Sequence, residues 1–180
     1  MNEVQPIRDP EMIEKMKSIL LKQSYRDWFM FVMGINTGLR ISDLLSLKVE
    51  DVKNKTHITI QEQKTGKMKR FRINNDLNDH ISEYIANMSD QDYLFKSKRS
   101  NQPIKRVQAY KILNEAAQKA GVSEIGTHTL RKTFGYHFYK RTKDVALLQD
   151  IFNHSAPSIT LRYIGINQEV IDRAIDEFSL

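Results

Sequence analysis

Residues 28–35, with the sequence WFMFVMGI, form a nearly continuous apolar run that constrains the fold more than any other segment. A run of this kind suits a buried helix, because a surface helix would carry polar residues along one face. It is also far shorter than the roughly 20 apolar residues that a helix needs to cross a bilayer. Asn36, Thr37 and Gly38 interrupt the run, and LRISDLLSL then opens a short new helix. The sequence therefore predicts a helical core.

Helical patterns account for most of the remaining chain. Asp9 followed by Pro10 is typical of a helix start, and apolar residues recur behind the pair at helical spacing. Further helices are predicted over residues 77–88, over residues 103–120 with Gly121 closing them, and in pieces from 129 to 178.

The apolar period changes to that of a strand from His57 onward. HITIQEQ and KRFRI are predicted to form two strands around a turn at residues 64–67, and YLF at 93–95 a third, short strand. No repeat, linker or composition shift marks a second domain. The predicted fold class is mainly α with a small antiparallel β-sheet (α+β), in one domain over residues 1–180.

The net charge of +6 is concentrated in two basic blocks. Residues 96–143 contain twelve Lys or Arg and two acids, Glu115 and Glu124. The second block has no acid and consists of Lys64, Lys67, Lys69, Arg70 and Arg72. Such blocks favour a polyphosphate partner, because each neutralised phosphate releases condensed counterions. A solvated basic surface that binds nothing is the alternative.

The chain has no cysteine, which excludes disulfides and thiolate metal sites. Its first ten residues, MNEVQPIRDP, lack the apolar core of a signal peptide. We therefore expect a cytoplasmic protein with no membrane partner.

Several residues with useful chemistry have ordinary structural explanations when taken singly. Arg40 follows a glycine turn and could bind an anion or cap a neighbouring helix, and Asp43 could pair with it or with another arginine. His128 and Arg131 lie three residues apart, which suits a phosphate and its attacking hydroxyl but is usually structural. Lys64, on the hairpin turn, is by default solvated, but a hairpin can also carry a lysine into the minor groove, where it can protonate a leaving oxygen.

Tyr163 is one of seven tyrosines, and a half-buried tyrosine with a bonded hydroxyl is the simplest interpretation of it. Tyr136, His137 and Tyr139 allow the same structural interpretation and lie nearer to Arg131 in the sequence. The order of the whole set is more specific. TGLRISDLLSL, then KTGK in a hairpin, then HTLR, then NHSAPSITLRY closely resembles the tyrosine recombinase (phage integrase) family, over residues 10–180. Asn153 and Lys132 stand where many relatives have glycine and histidine.

This resemblance implies a set of catalytic residues: Arg40, Lys64, His128, Arg131, His154 and the nucleophile Tyr163. The arginines would hold a phosphodiester, His154 would add a hydrogen bond, His128 would take the tyrosine proton, and Lys64 would protonate the leaving 5′ oxygen. The implied activity is that of a DNA recombinase or integrase catalytic domain, working through a 3′-phosphotyrosine without metal or cofactor.

The resemblance also implies double-stranded DNA and further copies of the chain as partners. Relatives form tetramers on DNA, and the acidic, apolar-striped tail QEVIDRAIDEF could dock on a neighbouring copy or on its own domain. A bacterial or phage-encoded protein at the nucleoid is implied, without the family's N-terminal core-binding domain. Two alternatives remain open: a type IB topoisomerase-like enzyme, and a DNA-binding regulator that has lost catalysis.

Overall fold

The computed structural model describes residues 4–123 and 125–180, so that Glu124, one of the two acids in the larger basic block, lies outside them. The regular elements in this part of the chain, in order, are α1 Pro10–Gln23, α2 Tyr25–Thr37, α3 Ile41–Leu45, a 3-10 turn Val49–Asp51, β1 His57–Gln61, β2 Met68–Arg72, α4 Asn75–Tyr84, α5 Arg106–Ala120, α6 Thr129–Thr142, α7 Val145–Phe152, α8 Pro157–Tyr163 and α9 Gln168–Asp176.

Helix α2 lies at the centre of the main core, which confirms the buried helix predicted for residues 28–35. Phe29, Met30, Phe31 and Met33 have no exposed surface, because α1, α4 and α6 pack against this helix. Gly34 permits the close crossing of α6, since a Cβ at this position would collide with the side chain of Leu130. This packing fixes the start of α6 beside the end of α2.

The two strands form an antiparallel hairpin, as predicted, with His57 opposite Arg72 and Gln61 opposite Met68. The turn is closed by two hydrogen bonds: Glu62 N donates to Lys67 O at 2.9 Å, and Gly66 N donates to Glu62 O at 2.8 Å. Gly66 adopts a φ of 69°, which favours glycine. The exposed Lys64 lies in this turn. The predicted fold class, mainly α with a small antiparallel sheet, is confirmed.

Two local predictions are wrong. Residues 93–95 do not form a strand; Tyr93 and Lys96 make single bridges to Lys48 and Pro103. Leu94 and Phe95 are fully buried, so their apolar character reflects the core rather than a sheet. The helix expected from Pro103 begins instead at Arg106, because Ile104 N donates to Phe95 O at 2.9 Å and holds that segment extended.

A second, smaller core holds the C-terminal helices in place. Leu148, Phe152 and Ile164 have no exposed surface and pack together, with Phe134 and Tyr163 against them. Helix α8 therefore ends beside the beginning of α6. Of the helices in the described ranges, none has the length and apolar character needed to cross a membrane.

Candidate active site

A pocket of about 380 Å³ brings together all six residues selected from the sequence. Its lining is Arg40, Lys64, His128, Arg131, Asn153, His154, Ser155, Ile159 and Tyr163. The six come from four separate parts of the fold: the start of α3, the hairpin turn, the start of α6, and the segment from α7 through α8. A larger cleft of about 900 Å³ lies between α1–α2 and the segment around residues 97–108, and none of the six lines it.

Arg40 lies at the N-terminal end of α3, directly after the left-handed turn at Gly38, whose φ is 70°. Its guanidinium forms an ion pair with Glu62, the last residue before the hairpin turn. The side chain of Glu62 is only 2% exposed. Asp43, which the sequence left open as a partner of Arg40, instead accepts a hydrogen bond from Gln63 N at 3.1 Å. These two carboxylates therefore fix the hairpin to the start of α3.

Arg131 is buried and held by two backbone carbonyls. It donates to Gly38 O at 2.7 Å and to Phe152 O at 3.1 Å. Its guanidinium also lies 4.2 Å from the centroid of the Phe152 ring. Burial lowers the pKa of Arg131 to about 10, which still leaves it protonated at neutral pH. The arginine thus links the end of α2 to the end of α7 and is oriented before any ligand binds.

His128 and Tyr163 face each other, with 3.4 Å between Nδ1 and the phenol oxygen. Burial, followed by the positive charges of Lys132, Lys64, Arg131 and Arg106, lowers the pKa of His128. The imidazole is therefore neutral at pH 7 and able to accept a proton. Burial also raises the pKa of Tyr163, although the charges of Arg131 and Arg40 oppose that effect. The side chain of Tyr163 is therefore a neutral phenol at pH 7.

His154 follows Asn153, which adopts a left-handed backbone (φ 56°), a conformation that asparagine tolerates better than most residues other than glycine. The His154 Nδ1 lies 2.9 Å from the hydroxyl of the buried Thr160. Burial and the charges of Arg131, Arg40 and Lys64 lower the pKa of His154 to about 4. This histidine is therefore a neutral hydrogen-bonding group rather than a cation at physiological pH.

Lys64 lines the pocket from the hairpin turn and is exposed. Its ammonium is close enough to contribute to the lowered pKa values of both His128 and His154. Since the turn is anchored at its base through Glu62 and Gln63, the lysine is presented to the pocket by a fixed support. The default interpretation of Lys64 as a purely solvated side chain does not describe this arrangement.

The alternative tyrosines and histidine lie elsewhere. His137 bonds to Ile7 O at 2.8 Å, and Tyr136 lies under Arg8 and Lys140. Neither they nor Tyr139 lines the pocket.

Sequence reasoning missed two residues beside the site. Glu62 was taken as an ordinary strand residue, although it pairs with Arg40. Lys132 was placed outside the catalytic set, but its ammonium lies 4.9 Å from the centroid of the Tyr163 ring. In neither case does the sequence carry a local signal, because both contacts join distant segments.

The family model described as "Phage integrase family" matches residues 9–169, which is most of the chain. The chain belongs to the phage integrase family. A relative from Bacillus subtilis (strain 168), the probable integrase/recombinase YoeC, is 54% identical over 178 residues, covering 99% of this chain and 98% of YoeC. Membership in this family places the chain among proteins of DNA recombination and integration.

Solved structures agree with the family assignment at the level of the fold. The crystal structure of XerA recombinase superposes with a TM-score of 0.79 at 19% identity, covering 98% of this chain and 67% of XerA. The XerH site-specific recombinase, in its post-cleavage complex with a palindromic difH substrate, superposes with a TM-score of 0.73 at 18% identity, covering 98% of this chain and 54% of XerH. The phage integrase fold seen here is that of a tyrosine recombinase catalytic domain.

Proposed function

We propose that this chain is a catalytic domain that cleaves and rejoins double-stranded DNA, with Tyr163 as the nucleophile. The observation that carries the proposal is the convergence of a neutral phenol, a neutral imidazole 3.4 Å from it and two arginines on one pocket. A phosphodiester is the group that this donor set fits, since guanidinium groups bind phosphate oxygens in bidentate fashion.

In the proposed step, the Tyr163 oxygen attacks phosphorus, the P–O5′ bond breaks, and a 3′-phosphotyrosyl ester remains on the protein. The phenol proton passes to His128, which lies within reach of it. Lys64 gives a proton to the departing 5′ oxygen. Because the ester keeps the energy of the broken bond, a 5′-hydroxyl from the same or another strand can reverse the step without ATP.

Arg131 and Arg40 would stabilise the charge that grows on the phosphate in the transition state. A guanidinium has five N–H groups, and Arg131 uses two nitrogens on Gly38 O and Phe152 O. Its charge and a side-chain hydrogen bond to Tyr163 also oppose the burial that raises the pKa of that phenol. The same guanidinium therefore acts on the phosphate and on the phenolate that forms during attack.

DNA is the substrate class that the charge distribution supports. The basic blocks at residues 64–72 and 96–143 lie on segments that include the pocket residues Lys64, His128 and Arg131. XerH, a structural neighbour, is seen bound to its DNA after cleavage. Most of the affinity would come from phosphate contacts outside the pocket.

The C-terminal segment supports the proposal that copies associate on DNA. Val170, Ile171 and Ile175 on α9, and Phe178 just after it, are each 40% or more exposed. This apolar stripe is therefore not covered by its own domain. We propose that a second copy covers it, in assemblies that include tetramers. Sedimentation of the protein–DNA complex tests this: ending the chain at Asn167 should reduce the complex to one copy per site, and an unchanged mass would contradict it.

The proposed function can be tested with a DNA duplex that carries a nick just 3′ of the cleavage position. Cleavage then releases a short strand with a 5′-hydroxyl. Because this strand dissociates, the reverse reaction is lost and the covalent protein–DNA product is trapped. The native chain should form a protein–DNA adduct stable to denaturant, and Tyr163→Phe should form none. Tyr139→Phe is the matched control and should behave as the native chain. A native chain that binds the DNA but forms no adduct would favour the inactive regulator over the enzyme.

The same trapped substrate separates recombination from topoisomerase-like relaxation. A recombinase should join the trapped strand to a 5′-hydroxyl from a second duplex carrying the same site. Relaxation of supercoiled DNA without any such joined product would favour the topoisomerase-like activity.

The role of Lys64 makes a further prediction. Lys64→Ala should slow cleavage of normal DNA about 100-fold or more, as loss of a general acid commonly does. A substrate with a bridging 5′-phosphorothiolate should restore the rate, because its sulfur leaves without protonation. Single-turnover cleavage of both substrates measures this. Lys67→Ala, on the same turn, is the control, and its cleavage rate relative to the native chain should be the same on both substrates. Failure of the sulfur substrate to rescue Lys64→Ala would remove the general-acid role.

A further inference from the structure

The residues before α1 form an extended segment across α6, which we call the N-terminal strap, residues 4–8. Ile7 is buried and is bonded on both sides of its backbone: its N–H donates to Thr133 Oγ1 at 3.0 Å, and its carbonyl accepts from His137 Nε2 at 2.8 Å. The strap is therefore a fixed part of the domain rather than a loose end.

Both ends of the N-terminal strap touch the segments that carry the proposed proton acceptor and nucleophile. Val4 packs onto Gly126, two residues before His128, so closely that a Cβ on the glycine would lie 2.7 Å from the valine. Arg8 donates to the carbonyl of Gly165, two residues after Tyr163, at 3.2 Å. The strap thus contacts both the segment that leads into His128 and the segment that follows Tyr163.

Lys132 connects the N-terminal strap to the nucleophile. Only 5% of the residue is exposed, and its Nζ donates to Val4 O at 2.8 Å. The same ammonium lies 4.9 Å from the centroid of the Tyr163 ring. A cation over an aromatic face is attracted by the ring quadrupole, and the attraction grows when the phenol loses its proton. An interaction that strengthens as the reaction proceeds is the kind that accelerates it.

We propose that Lys132, held by the N-terminal strap, is a positioning residue that keeps the Tyr163 ring directed at the phosphate. This inference rests on the proposed function of the same pocket. Lys132 does not line the pocket, so it acts through Tyr163 and His128 and does not itself contact the DNA.

The electrostatic surroundings of His128 give this role a distinctive signature. Lys132 and Arg131 face it from α6, Lys64 from the hairpin turn, Arg106 from α5 and the phenol of Tyr163 from α8. After burial, the charge of Lys132 is the largest cause of the lowered pKa of His128. Removing that charge should therefore raise the pKa of His128. Cleavage requires the neutral imidazole, so the acid limb of its pH profile should move to higher pH.

The test is single-turnover adduct formation on the nicked duplex, measured against pH at saturating DNA, for Lys132→Met and Lys132→Arg. Lys132→Met should lower the maximal rate about 10- to 100-fold, as a small misplacement of a reacting group can, and shift the acid limb upward. The Kd for DNA should stay unchanged, because the side chain is buried. Lys132→Arg keeps the positive charge and should return the acid limb of the pH profile to its native position.

Lys48→Met is the matched control, since Lys48 also lies over a tyrosine ring, 5.3 Å from the centroid of Tyr93, and belongs to neither basic block. It should leave the rate and the pH profile unchanged. Lys132→Gln, which can still donate to Val4 O, should show the same shifted limb and serves if Lys132→Met does not fold.

An unmoved acid limb in both neutral variants, or a loss of rate that Lys48→Met reproduces, would overturn the positioning role. If the native chain itself forms no adduct, the proposed function fails rather than this inference.

Discussion

Arg131→Ala is expected to lower the rate of DNA cleavage by about a thousandfold or more, the size of effect seen when a donor to a developing anion is removed. The DNA Kd should change much less, because this arginine would contact one phosphate among many. Single-turnover adduct formation at saturating DNA measures the cleavage rate, and fluorescence anisotropy measures the DNA Kd. A loss of affinity that matches the loss of rate would contradict a role in the transition state.

Arg131→Lys separates charge from geometry. A lysine keeps the positive charge, but its single ammonium cannot reach Gly38 O, Phe152 O and a phosphate together in the way that the guanidinium does. We therefore expect Arg131→Lys to remain strongly impaired. Recovery of most of the native rate by lysine would show that the planar, carbonyl-held geometry is not required.

Arg40→Ala should have the second large effect, on stability as well as on cleavage. It leaves the buried carboxylate of Glu62 without its partner, and breaking such a pair typically costs about 3 kcal/mol or more of unfolding free energy. Urea denaturation, followed by circular dichroism, measures the loss. Cleavage should be abolished as well, since the phosphate loses one of its two arginines.

The double variant Arg40→Ala with Glu62→Gln tells these two effects apart. Neutralising Glu62 removes the unpaired charge, so most of the lost stability should return while cleavage stays absent. A double variant as unstable as Arg40→Ala would show that the ion pair is not the source of the loss. A double variant that cleaves DNA would exclude Arg40 from the transition state.

Much of this structure could be predicted from local sequence signals. Asp9 with Pro10 marks the start of α1, and its side chain does cap that helix. Gly121 ends α5 in a left-handed conformation. The change of period at His57 predicts the hairpin, because the backbone rules that govern it act over a few residues. The six pocket residues were found by their order along the chain, which a family motif preserves.

The unpredicted features all depend on contacts between distant segments. Glu62 appears in the sequence as one polar residue of a strand, and only the folded chain shows it buried against Arg40. Lys132 is separated by more than 120 residues from the Val4 carbonyl that holds it. The apolar triplet at 93–95 resembled a strand because burial and strand pairing favour the same side chains. Tertiary packing decided each of these cases.

The most direct test of the central claim is to identify the residue that carries the DNA in the trapped adduct. Trypsin would release Tyr163 in a peptide of residues 163–173, whereas Tyr136 and Tyr139 share a peptide of residues 133–140. After nuclease digestion, mass spectrometry should find the nucleotide remnant on Tyr163 in the first peptide. A remnant on the second peptide, or on any residue other than Tyr163, would contradict the proposed nucleophile.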